Sequence, residues 1–134
     1  MTPSEISRQL PNGFHGASID RISVDYLAKQ AEFYMQLLVP GDVSGQSRRR
    51  GGRFEVTGIA FCTLDVPSVR YDYTDPGAIE IGSLLDTTEK LLPALQDFRK
   101  ELGQSYFFHS FFVEQWNGFI HFAGTEAKFE WMGA

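Results

Sequence analysis

Alternation of apolar and polar positions with a period of two dominates this chain. Ala31, Phe33, Met35, Leu37 and Val39 interleave with Glu32, Tyr34, Gln36 and Leu38, the pattern of a strand with one buried face. Upstream, Ala17 and Ile19 are out of phase with Ile22 and Val24, and a bulge near Asp20 or Arg21 would return both sets to one side. Phe54, Val56, Ala60, Cys62, Leu64 and Val66 share a parity while Ile59 and Phe61 face the other way. That predicts a central strand covered on both sides, bent at Gly58 and closed by Pro67. Tyr71 and Tyr73, the turn residues Asp75, Pro76 and Gly77, and then Ile79 and Ile81 predict one or two further short strands.

One segment breaks the period. Leu91, Leu95, Phe98 and Leu102 recur at helical spacing, with Pro93 suited to a first turn and Gly103 to a stop, so a helix is expected at about 93–102. Beyond it, Tyr106–Trp116 and Phe119–Ala123 flank Asn117 and Gly118, the pair favoured in a two-residue type I′ hairpin turn. The register that follows sets Trp116 against Phe119, Glu114 against His121 and Val113 against Phe122. Phe111, Val113, Ile120 and Phe122 then share one face. Phe108, Phe112, Trp116 and Phe119 share the other with Ser110, Glu114 and His121. Lys128 to Trp131 predicts a last strand at the sheet edge.

Two stretches interrupt the pattern. Residues 1–12, with Pro3 and the cluster Pro11, Asn12 and Gly13, read as a loosely held lead-in, and residues 42–52, rich in Gly, Ser and Arg, as a mobile loop. The whole predicts a single α+β domain spanning 1–134, mainly an antiparallel sheet or flattened sandwich of about six to eight strands with one packed helix.

Composition narrows the function classes. With 12 Phe, 5 Tyr and 2 Trp in 134 residues, the aromatic weight favours pleated surfaces, and a chain of this length can bury a core without staples. A net charge of −5 gives no overall attraction to phosphate backbones, so no nucleic-acid partner is expected. Cys62 is the one cysteine and has no intramolecular disulfide partner. The opening MTPSEISRQL lacks a signal-peptide pattern, and no stretch reaches the roughly 20 apolar residues of a membrane span, so no membrane association and a cytoplasmic location are expected.

Candidate chemistry is sparse. His15, His109 and His121 would suffice to begin a zinc site if they converged, but His109 and His121 have opposite parity in the hairpin, so no metal is expected. Glu114 across from His121 has the geometry of a charge-assisted pair, yet neither a nucleophile nor a phosphate loop can be placed beside it. Cys62 sits on an apolar parity and reads as an inert thiol. Asp72, Asp75 and Glu80 do not follow the ligand spacing of a calcium loop. Arg48, Arg49 and Arg50 are the concentrated positive charge, suited to anionic groups. No catalytic residue and no cofactor are expected.

The run Gly13-Phe14-His15-Gly16-Ala17-Ser18-Ile19, with Ile22 to Tyr26 and the strand Glu32 to Val39, resembles the start of a group of small uncharacterised bacterial β proteins, some of them similar to immunity proteins of polymorphic toxin systems. Gly16 stands where that group carries an acidic residue. The resemblance implies a non-enzymatic, immunity-like interaction protein. Its expected contact residues are His121, Glu114, Trp116, Phe119, Arg48, Arg49 and Arg50, meeting a protein partner or a second copy in a homodimer. The competing expectation is a small-molecule-binding domain or minor enzyme with a polar pocket around His121 and Glu114.

Overall fold

The computed structural model describes residues 1–65, 80–85, 93–113 and 118–133. Its elements are α1 (Pro3–Gln9), β1 (Ala17–Asp25), β2 (Gln30–Pro40), β3 (Ser47–Thr57), β4 (Phe61–Leu64), β5 (Glu80–Leu85), α2 (Pro93–Leu102), β6 (Phe107–Val113), β7 (Gly118–Gly124) and β8 (Glu126–Trp131). The strands form one antiparallel sheet in the order β4-β7-β6-β5-β1-β2-β3-β8.

That order closes on itself. β3 runs into β4 through Gly58, Ile59 and Ala60, β7 runs into β8 through Thr125, and β3 pairs with β8 as β4 pairs with β7. The Ala60 N–H donates to the Ala123 carbonyl at 2.8 Å and the Thr125 N–H to the Thr57 carbonyl at 3.0 Å, carrying the ladder through the bend. The two ends of the strand order are therefore halves of the same two long strands, and the sheet wraps into a closed wall instead of two flat layers. Gly58 takes φ +63°, and a Cβ there would stand 2.1 Å from Thr125 Oγ1, so the bend demands glycine on both conformational and steric grounds.

The interior is packed with phenylalanine. Phe14, Phe33, Phe54, Phe111 and Phe122 are all less than 2% exposed, with neighbouring ring centroids 5.2 to 6.0 Å apart, in the range of favourable edge and tilted contacts. Rings from β2, β3, β6 and β7 meet across the enclosed space, and Met35, Leu37, Val56, Val113 and Ile120 complete the same core. The alternation in β2 is buried at every second position as expected, and the ladder slips between Ile19 and Arg21, where the phase change called for a bulge.

Residues 1–12 are not a loose lead-in. Thr2 caps α1: its hydroxyl accepts the Glu5 N–H at 3.2 Å while the Glu5 carboxylate accepts the Thr2 N–H at 3.1 Å, with Pro3 in the first turn. This capping box and N-terminal proline stood in the sequence as Thr2-Pro3-Ser4-Glu5. Pro3, Ile6 and Leu10 are buried, and the turns that follow deliver Phe14 into the core. The Met1 amino group lies 3.1 Å from Glu126, and the Met1 carbonyl accepts the Ala127 N–H at 2.8 Å, so the chain start covers part of the outer edge of β8, a common protection for edge strands.

The expected helix occupies Pro93–Leu102. Its Phe98 ring meets Phe61 at 5.7 Å, and Leu102 joins Phe61, Phe108 and Ala123 in a second cluster outside the wall. Tyr71, Tyr73 and the Asp75-Pro76-Gly77 turn lie outside the described residues, as do Asp72 and Pro67.

Candidate functional site

The C-terminal hairpin carries the first group of candidate residues. β6 pairs with β7 so that Phe111 faces Ile120, Phe112 faces Phe119, Ser110 faces His121 and Val113 faces Gly118. The expected type I′ register is therefore corrected: Phe119 lies against Phe112 rather than Trp116, and His121 lies across from Ser110 rather than Glu114. Both registers send Phe111, Val113, Ile120 and Phe122 inward, because they differ by an even number of positions and side chains repeat every two. Hydrophobic pattern alone had no means of choosing between them. Glu114 and Trp116 lie outside the described residues.

Ser110 Oγ stands 2.6 Å from His121 Nδ1, and both residues are only 2% exposed. The imidazole stacks on the half-buried Phe119 ring, centroids 5.4 Å apart and planes 13° from parallel, and Phe119 in turn meets Phe112 at 5.1 Å. Burial holds the His121 pKa below its usual value, opposed by the negative charge of Asp65, so the ring is neutral near pH 7. A hydroxyl bonded to a neutral imidazole is the first pair of a nucleophilic triad. Here, however, the Asp65 carboxylate accepts the Phe119 N–H at 2.8 Å, and the buried Ser110 and His121 tie two strands together. The three histidines occupy separate surroundings: His15 is exposed before β1, His121 lies on the outer side of the wall, and His109 packs inward on Phe111 and Phe122 at 5.3 and 5.5 Å. Among the described residues no three His, Cys, Asp or Glu side chains converge. Cys62 lies against the core, its thiol pushed up to about 11 by burial.

The arginine run forms the second group, and its setting differs from expectation. Residues 47–52 belong to β3 and pair continuously with β2, from Ser47 opposite Pro40 to Gly52 opposite Met35, so of the expected loop 42–52 only residues 42–46 connect the two strands as turns. A run without apolar residues was extended as strand because β2, whose alternation is strong, supplies a complete ladder for it. Strand geometry separates the side chains. Arg49 reaches over the outer face to the Gly16 carbonyl at 3.1 Å and Ser18 Oγ at 3.4 Å. Arg48 and Arg50 project to the opposite side, directly across from Val39 and Leu37. There the Arg50 guanidinium sits 4.6 Å from the centre of the Trp131 ring, and Trp131 is itself held edge-on by Phe129 at 4.9 Å and 88°. Gly52 makes this possible, since a Cβ there would fall 2.4 Å from the Phe129 ring.

Arg53, on the other side of β3, is neutralised by Glu130 at 2.8 Å and Glu55 at 3.9 Å. Sequence reasoning identified the arginines and His121 as site residues but not Trp131, Ser110 or Asp65: the β3–β8 pairing brings Trp131 to Arg50, the β6–β7 pairing brings Ser110 to His121, and Asp65, just after β4, reaches the Phe119 N–H. Among the described residues no helix is long and apolar enough to cross a membrane.

No family model and no curated protein matches this chain. It is similar to a solved structure described as an uncharacterized protein from Neisseria gonorrhoeae, at 14% identity and a TM-score of 0.44, over 87% of this chain and 92% of that one.

Proposed function

We propose that this chain is a non-catalytic binding protein that recognises another protein through its solvent-exposed surface. The observation that carries this reading is the filled interior: five phenylalanine rings, each less than 2% exposed, meet where a ligand-binding barrel would keep a cavity. The buried Ser110–His121 pair points the same way, since a catalytic base must reach substrate and these two groups are closed off from solvent. Ser110, and not Glu114, is the residue directly across the hairpin from His121. Immunity-type masking of a partner, in the bacterial cytoplasm, is the form of binding that the resemblance of the opening segment implies, and a second copy of the chain is the other polypeptide partner of this class.

Native mass spectrometry of the protein recovered from the cells that produce it tests the reading. The expected result is a stoichiometric complex with another polypeptide, or a homodimer, that dissociates as salt is raised. A bare chain carrying a small organic molecule would overturn it.

A further inference from the structure

We propose that Arg48 and Arg50, presented from one side of β3 beside Trp131, form a recognition site for a carboxylate-rich segment of a partner protein. The inference rests on the surface-binding reading above and names the chemistry of one contact.

Three features mark these two cations. First, they are fixed. The register of β3 with β2 is unbroken from Ser47 to Thr57, so alternate residues Arg48 and Arg50 leave the same side of a rigid strand roughly 7 Å apart. Their aliphatic stems lie across from the buried Leu37 and Val39, an arrangement in which long cationic chains cover apolar surface and leave the charged head in water. Second, Arg50 is oriented. Stacking on Trp131 at 4.6 Å fixes the guanidinium plane through its face and leaves the N–H donors on its rim available. Third, the charge is uncompensated. Arg53 has two glutamates within 4.0 Å and Arg49 has oxygen partners, whereas among the described residues Arg48 and Arg50 form no ion pair, in a chain whose net charge is −5.

The occupant follows from spacing and sign. Side chains at alternate positions of an extended peptide recur at the same roughly 7 Å interval, so two carboxylates two residues apart can each meet one guanidinium fork, the bidentate geometry that makes such pairs strong. Met132, 46% exposed directly after Trp131, adds an apolar contact beside the cations. A nucleic acid fits less well: its charge density requires a broad basic surface, and β3 itself carries Glu55 while its neighbour β8 carries Glu126 and Glu130.

The test uses Trp131 as the reporter. With Trp116→Phe in the full chain, Trp131 is the remaining tryptophan, and its fluorescence is followed on titration with a blocked peptide of alternating Glu and Ser, the matching Gln and Ser peptide, inorganic phosphate, and a short single-stranded RNA. The expected result is a saturable change with the Glu peptide alone, weakened by salt. Arg48→Gln with Arg50→Gln should weaken it roughly tenfold or more, Arg48→Lys with Arg50→Lys should fall between, and Arg53→Gln should change it by no more than about twofold. Circular dichroism confirms that each variant is folded. No saturable change, equal binding by the Gln variant, or tighter binding of RNA or phosphate than of the Glu peptide overturns the proposal. If native mass spectrometry still gives a polypeptide complex, such a failure removes this site and leaves the surface-binding reading standing. Loss of both removes both.

Discussion

Replacing Phe111 by alanine tests whether the interior is as full as the functional reading requires. The ring is inaccessible and lies 5.2 Å from Phe14, 5.3 Å from Phe122, 5.9 Å from Phe54 and 6.0 Å from Phe33, with His109 at 5.3 Å. Its removal strips one member from every one of those contacts at once, and the surrounding strands, locked in a closed ladder, have little scope to collapse into the gap. A buried Phe→Ala change of this kind costs about 3–5 kcal/mol, a large part of the roughly 5–15 kcal/mol that separates folded from unfolded states in a domain of this size. With a urea slope near 2 kcal/mol per molar, the unfolding midpoint should fall by about 2 M. Phe112, half-buried and in tilted contact with Phe119 alone among the described rings, provides the comparison and should cost less than half as much when truncated. The cavity left by Phe111→Ala should be lined mostly by phenylalanine rings, with the His109 imidazole on one side, so benzene should raise the melting temperature of the variant and leave the native protein unchanged. A loss under about 1 kcal/mol, or benzene binding by the native protein, would mean that the interior has room to spare, and the argument from a filled core would fail.

His121 is held neutral by burial, so its pKa is lower folded than unfolded; the unfolded state then takes up protons first as pH falls, and stability should decline below about pH 6.5, a slope that His121→Gln should flatten in urea titrations at several pH values. Cys62, with its thiol near 11, should resist iodoacetamide at about pH 8 and react fully once urea unfolds the chain; rapid labelling of the folded protein would contradict its packing against the core. Gly58→Ala should lower stability by about 2 kcal/mol or more, since it adds left-handed strain to a clash with Thr125, and a neutral effect would show that the bend between β3 and β4 is not held as described. Thr2→Ala should loosen α1 at a cost of about 1 kcal/mol, seen as faster amide exchange at Ile6 and Leu10.

The sequence by itself determined what local periodicity encodes. Period-two alternation specified β2 and the inward set Phe111, Val113, Ile120 and Phe122, a phase change specified the bulge after Ile19, and helical spacing between Pro93 and Gly103 specified α2, because each of these depends on residues a few positions apart. The capping box at Thr2 and Glu5 was equally local and was legible, although the polar, proline-containing composition around it pointed to disorder. Tertiary structure alone decided the rest. The arginine run is strand because β2 offers it a ladder, not because Ser, Arg and Gly prefer one. The hairpin register differs by an even number of positions from the one that Asn117 and Gly118 suggested, a choice that burial parity leaves open. The closure of the sheet, and with it the meeting of Arg50 with Trp131 and of Ser110 with His121, depends on pairings between residues distant in sequence. No window along the chain contains them, because the free energy that selects one pairing over another comes from the whole core they enclose.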